Sequence, residues 1–213
     1  MTREAKTLSA TGVKTIRLAD IDSLAHKLSD LIDRSPFTPD GILYIETGSR
    51  LLAASLHKKT GIPTFPIVIR RGGSSAKARW SFFLRLIPVS ILDLLRELER
   101  TRSSIGSNIR HSELGPERDF SGKRVLILDD AADSGESLLL ARRWVVDRGA
   151  AEADVRFATI SVTQARTREL VSYWIYSQLC RFPWSSDSQE RQEYLSLYEQ
   201  IDPSQLAIGH FRF

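Results

Sequence analysis

An α/β fold with a central, largely parallel sheet flanked by helices is what this sequence predicts, and three observations carry that expectation. Short apolar runs rich in β-branched residues recur at 42–45, 125–128 and 155–162, the composition of strands buried on both faces of a parallel sheet. The first two runs open directly into a polar turn and then a helical spacing of apolar residues, the rhythm of a doubly wound sheet. The chain has 213 residues, 42% of them hydrophobic and 26% charged, which suits one substantial core rather than two large domains.

In chain order, residues up to Gly12 read as a flexible or edge-pairing start, followed by a short strand at Thr15–Arg17. Ala19–Ile32 places Ile21, Leu24, Leu28, Leu31 and Ile32 at helical spacing, and Pro36 and Pro39 mark the exit of that amphipathic helix. Ile42–Ile45 is a strand. Glu46-Thr47-Gly48-Ser49-Arg50 is its polar turn, and a helix runs on to a stop at Gly61 and Pro63. With the strand at Thr64–Ile69, this stretch forms one βαβ unit, and right-handed crossover brings both strand ends to one edge of the sheet. Ligands of such sheets bind where those ends converge.

The stretch from Val125 to Leu140, VLILDDAADSGESLLL, carries the chemistry. A buried strand ends in Asp129 and Asp130, whose side chains project to opposite sides because direction alternates along a strand. Asp133-Ser134-Gly135-Glu136-Ser137 then turns into a helix holding Leu138, Leu139, Leu140 and Trp144. A helix start offers unpaired N–H groups and the positive end of the dipole, which favour phosphate. Ser134 and Ser137 add hydroxyl donors, and Gly135 lets the backbone approach closely. Paired acids beside an anion nest suit a ligand with both ribose hydroxyls and phosphate, although a serine cap alone would also produce Ser134 and Ser137.

This segment resembles the phosphoribosyl-diphosphate-binding motif of the type I phosphoribosyltransferases, matched by Leu128, Asp129, Asp130, Ala131, Ala132, Asp133, Ser134, Gly135, Glu136 and Ser137. The resemblance implies that Asp129 and Asp130 lie at the ribose hydroxyls and, directly or through water, at Mg²⁺. It implies that 133–137 wraps the 5′-phosphate and that Asp133 handles the proton of the base. Thr47, Gly48 and Ser49 fall on the family's diphosphate loop, with Ser49 in place of a second glycine, and Arg70 or Arg71 stands where relatives carry a basic residue near the diphosphate. Phe182-Pro183-Trp184 is similar to the end of the xanthine and guanine group, which implies a small C-terminal hood over the base. Leu179 occupies the position of that group's stacking tryptophan, so Leu179, Phe182 and Trp184 are the base-site candidates, with Trp174 as a substitute. Ser185 replaces the acid that commonly follows, and Asp187 lies two residues on.

The implied organisation is an N-terminal helical or hood segment over 1–39, a phosphoribosyltransferase-like domain over 40–184, and a tail over 185–213. A largely helical insertion occupies 72–120. Its apolar part, from Trp80 to Leu98, reads as a buried helical hairpin or a subunit interface, and its polar part, Arg100–Phe120, as a mobile lid. Beyond the central motif, Leu138–Val146 reads as a helix, Val155–Val162 and Tyr173–Ile175 as strands, and Gln189–Tyr198 as a surface helix.

The expected activity is transfer of 5-phosphoribosyl from phosphoribosyl diphosphate to a nucleobase or related aromatic acceptor, with release of diphosphate. The alternative is a non-catalytic sensor of nucleotide or phosphoribosyl diphosphate that keeps the cradle. Mg²⁺ is the implied cofactor, and a homodimer or higher homo-oligomer the implied assembly. The formal net charge of +4 fits a polyphosphate ligand, while Glu97, Glu99, Glu113 and Glu117 interrupt the basic residues that a nucleic-acid surface would need. One cysteine, Cys180, no membrane-length apolar run and no signal-like start lead to the expectation of a cytoplasmic protein. His26, His57, His111 and His210 are scattered and outline no nucleophilic or metal motif.

Overall fold

The computed structural model describes residues 12–46, 48–71, 109–111 and 119–202, with the side chains of 70, 71 and 109–111 left aside. Thr47, the start before Gly12 and the insertion expected over 72–120, apart from 109–111 and 119–120, lie outside the described residues.

The strands are β1 (Lys14–Thr15), β2 (Gly41–Glu46), β3 (Thr64–Arg71), β4 (Ile109–His111), β5 (Val125–Ala132), β6 (Val155–Val162), β7 (Tyr173–Tyr176) and β8 (Cys180–Arg181). The α-helices are α1 (Ile21–Asp33), α2 (Arg50–Thr60), α3 (Glu136–Val146), α4 (Ala165–Leu170) and α5 (Arg191–Gln200). Six strands form the main sheet in the order β4-β3-β2-β5-β6-β7. All pairings are parallel except the one between β3 and β4. From β2 the chain moves outward to β3, and from β5 it moves outward the other way through β6 to β7. The reversal of order therefore falls between β2 and β5, where an open α/β sheet leaves a crevice for ligands.

Alternation along the strands sorts the core into two faces. Ile42, Tyr44, Leu126 and Leu128 pack with Leu24 and Leu28 of α1 and Leu52 and Leu56 of α2. Leu43, Ile45 and Ile127 pack with Leu138, Ala141, Trp144 and Val145 of α3. Gly61 closes α2 at φ +71, a left-handed cap that glycine adopts without strain. A second, two-stranded sheet pairs β1 with β8 in parallel, joining the start of the described chain to its C-terminal part. Together with α5, it builds the hood over the α1/α2 face. Among the described residues, no helix is long and apolar enough to cross a membrane.

Most element positions agree with the sequence reading, and Val155–Val162 agrees at both ends. Several boundaries shift by one or two residues, and β4, α4 and β8 are elements the sequence reading does not contain; three differences are larger or bear on the site. The first strand is Lys14–Thr15 rather than Thr15–Arg17, because the chain enters a 3₁₀ turn at Leu18–Asp20. The central strand does not stop at Leu128: it pairs with β6 as far as Ala132 opposite Val162, so both acids lie within the strand, Asp129 opposite Thr159. The last helix is displaced to Arg191–Gln200.

Candidate functional site

Two strand-turn-helix units meet at the reversal of strand order, since β2 and β5 are direct neighbours, with Tyr44 opposite Leu128. Their polar turns therefore emerge side by side from the same end of the sheet.

In the β5 unit, Asp130 is in step with Leu126 and Leu128 and faces the hood. There it accepts a hydrogen bond from the indole Nε1–H of Trp184. Burial pushes the Asp130 carboxyl above its ordinary range, against the opposing pull of that indole N–H. Asp129 is buried, accepts from the Asp130 backbone N–H at 2.9 Å and lies 3.5 Å from the hydroxyl of Ser49. Trp184 and Ser49 are thus divided between the two acids, but the Asp129 and Asp130 carboxyls also meet each other, so they do not point to opposite sides as strict alternation along a strand predicts.

The 133–137 turn is held from the next unit along the sheet. Asp133 accepts from the Thr163 hydroxyl and, at 3.2 Å, from the Gln164 amide, while its own carbonyl accepts from Thr167 at 2.6 Å. Gly135 precedes α3 at φ +77, and a Cβ there would stand 2.9 Å from Leu170 and 3.3 Å from Thr167. The positive φ favours glycine, and any side chain there would also have to displace the ends of Leu170 and Thr167 of α4. The Ser134 hydroxyl accepts from the Glu136 N–H at 3.4 Å, a cap-like contact at the start of α3.

In the β2 unit, the turn is pressed against Asp130. A Cβ on Gly48 would overlap the Asp130 carboxylate and lie 2.6 Å from Trp184 Nε1, so no larger residue fits without moving the acid or the indole. Ser49 is fully buried and takes up ordinary right-handed helical geometry at φ −90 before α2. The position where the family pattern has glycine carries no left-handed backbone here. Arg70 and Arg71 end β3, opposite Arg110 and Ile109 of β4, on the outer side of β2.

The hood supplies aromatic residues. Phe182 and Trp184 stack with centroids 4.9 Å apart and planes 8° from parallel, Phe182 buried in the core and Trp184 partly exposed above it. Leu179 is half-buried, and its carbonyl accepts from the Lys14 N–H as part of the β1–β8 pairing. Trp174 lies in β7 and packs against the opposite face of the sheet, with the α3 cluster. Asp187 is committed to an ion pair with Arg181 at 2.9 Å.

Several supporting residues were not singled out from the sequence. Glu46 accepts two hydrogen bonds from Arg50, at 3.0 and 2.6 Å, and one from the Tyr198 hydroxyl of α5. The Arg50 guanidinium lies 3.8 Å from the Tyr198 ring centroid. The spacing of four between Glu46 and Arg50, and between Tyr194 and Tyr198, was visible, but nothing local joins the two pairs. Thr163, Gln164 and Thr167 carried no motif at all. Among the described residues, no group of three or more His, Cys, Asp or Glu is arranged to hold a metal ion.

The phosphoribosyl transferase domain family matches residues 13–192. No curated protein matches the chain in sequence. Among solved structures, the chain is similar to a purine phosphoribosyltransferase from Pyrococcus horikoshii, with 19% identity, 80% of this chain and 94% of that one covered, and a TM-score of 0.55. A hypothetical protein from Neisseria gonorrhoeae with bound ppGpp gives 16% identity, coverage of 90% and 99%, and a TM-score of 0.56. The xanthine-guanine-hypoxanthine phosphoribosyltransferase of Helicobacter pylori gives 11%, 89% and 99%, and 0.51. At these identities the likeness is one of fold.

Proposed function

The chain belongs to the type I phosphoribosyltransferase superfamily, and we propose that it transfers 5-phosphoribosyl from phosphoribosyl diphosphate to a nucleobase or related aromatic acceptor, releasing diphosphate. The observation that carries this reading is the placement of both candidate turns side by side at the strand-order reversal, with Gly48 against Asp130. One ligand can then span a 5′-phosphate seat at 133–137 and a diphosphate seat at 47–49, aided by Arg70 or Arg71.

In this reading Asp129 and Asp130 hold the ribose hydroxyls. A nitrogen of the acceptor forms its bond to C1 as the bond from C1 to the diphosphate oxygen breaks. The carboxylates stabilise the positive character that grows on the ribose. Asp133, oriented by Thr163 and Gln164, takes the proton released by the acceptor. Trp184, Phe182 and Leu179 form the acceptor side, with Trp184 the more accessible of the two aromatic residues.

Mg²⁺ fits the donor set, because two adjacent carboxylates, with no third ligand grouped with them among the described residues, suit an ion that completes its shell with substrate oxygens and water. Asp129 and Asp130 would hold it, and when bound it would neutralise charge on the diphosphate. Homo-oligomeric assembly in the cytoplasm completes the proposal.

A second reading, a sensor of nucleotide or phosphoribosyl diphosphate without transfer, is favoured by the bond from Trp184 to Asp130, which ties up a carboxylate that transfer requires. The hypothetical protein from Neisseria gonorrhoeae, with its bound ppGpp, points to ppGpp as the probe for this reading. The deciding experiment incubates the purified protein with phosphoribosyl diphosphate and Mg²⁺ across a panel of purines, pyrimidines and other aromatic acceptors, following nucleotide and diphosphate together. Coupled formation of both is expected. Tight binding without turnover across the panel would replace the transferase reading with the sensor.

A further inference from the structure

The floor of the 47–49 turn contains a polar cluster that the transfer reaction does not use. Glu46 ends β2 and Arg50 begins α2, so the two residues bracket the turn. Their side chains are well buried, at 5% and 15% exposure, and paired at 2.6 Å. A buried ion pair left open on one side is costly, because each remaining lone pair and proton has lost its water. Here the open side is closed from 152 residues away, by Tyr198 of α5. Its hydroxyl donates to Glu46 while its ring covers the Arg50 guanidinium. Burial and the Glu46 charge push the Tyr198 phenol up to about 12, so at neutral pH it remains the protonated donor.

The helix that delivers Tyr198 is itself anchored on the hood. Tyr194 lies 5.8 Å from the Tyr198 ring and 5.3 Å from Trp184, which in turn stacks on Phe182. A continuous aromatic column thus runs from the hood to the floor of the turn. At its upper end Trp184 binds Asp130, the residue against which Gly48 rests. The turn is thereby fixed at its tip by Asp130 and Trp184, and at its base by Glu46, Arg50 and Tyr198.

We propose that α5 is a brace for the diphosphate turn, with Tyr198 and Arg50 as positioning residues that hold Gly48 and Ser49 in a ligand-ready geometry through Glu46. The inference rests on the reading of that turn as the diphosphate seat. It differs from that reading in assigning a binding contribution to a helix that touches neither reacting group. Arg50 serves the turn from below, neutralised by Glu46, instead of donating to the phosphates.

The test uses the full chain as wild type, Tyr198→Phe and Tyr198→Ala. Amide hydrogen exchange over residues 46–52 is measured alongside binding of inorganic diphosphate with Mg²⁺ and of ribose 5-phosphate. Tyr198→Ala is expected to speed exchange at the turn and weaken diphosphate about tenfold, leaving ribose 5-phosphate within about twofold, since only one seat is loosened. Tyr198→Phe, which keeps the ring over Arg50, is expected to fall between. Wild-type exchange over 46–52 in Tyr198→Ala would overturn the brace, and so would equal loss of both ligands with faster exchange throughout the sheet. If the wild type binds no diphosphate while the turn still loosens selectively, the brace stands and the diphosphate reading falls.

Discussion

The two turns at the strand-order reversal are built alike and secured differently. The 133–137 turn is held by its immediate neighbour in the sheet: Thr163, Gln164 and Thr167 follow β6, which pairs directly with β5. The 47–49 turn is held by the C-terminal part of the chain, through Trp184 against Asp130 and Tyr198 on Glu46. One is a property of adjacent βα units, the other of a hood that must first fold over the sheet. A turn secured by distant contacts loosens as those contacts open, so the turn at Gly48 and Ser49 is the more labile of the two.

The strongest way to break the comparison is to remove the charges the two turns share. Asp129→Asn with Asp130→Asn is expected to lower Mg²⁺-dependent affinity for phosphoribosyl diphosphate by about a thousandfold, ~4 kcal/mol, with the far-ultraviolet circular dichroism unchanged. Unaltered affinity by calorimetry would remove both acids from the site. Next, Gly48→Ala forces a Cβ into the Asp130–Trp184 contact. It should weaken phosphoribosyl diphosphate by about a hundredfold and raise Trp184 exposure, read as a red shift in its emission. An unshifted spectrum with wild-type affinity would show that the turn has room.

Gly135→Ala probes the other turn, where both backbone and neighbours resist a side chain. The expected cost is ~2 kcal/mol, a lowering of Tm by about 4–8 °C for a chain of this size. A smaller penalty than that of the Gly48 variant on ligand binding, but a larger one on Tm, would sharpen the distinction between a scaffold turn and a ligand turn.

The smallest effect concerns pH. The Asp130 carboxyl is raised above its ordinary 3.8 by burial, so the folded state binds that proton more tightly than the unfolded chain does. Its contribution to stability is therefore full below 3.8 and declines as pH rises through the folded value. Asp130→Asn removes this loss, and its Tm relative to wild type should climb as pH rises from below 3.8 toward neutrality. A constant difference across that range would show that Asp130 titrates as it does in the unfolded chain.

Local pattern made much of this protein legible. Apolar strand runs, Gly61 and the spacing of Leu24 and Leu28 define elements through interactions within a few residues, and the order of elements nearly dictates a parallel sheet. The run of acids, small residues and Ser134-Gly135 marked one turn, because its conformational demands fall on its own residues. The length of β5 was misjudged since charged residues at 129 and 130 look like a strand end, whereas pairing with β6 extends the ladder past them.

Only the tertiary structure decided what secures the second turn and faces the acids. Tyr198 and Glu46 are 152 residues apart, and Trp184 and Asp130 are 54 apart. No periodicity spans such separations; the hood's return across the sheet creates those contacts. Sequence alone determined the main parallel strands, the helices around them and the position of the 133–137 turn, since those depend on local sterics and hydrophobic period, whereas β4, β8 and α4 carry no such local signal. Which aromatic residue meets which carboxylate depends on how separate elements pack, and that is settled only when their buried polar groups must find partners together.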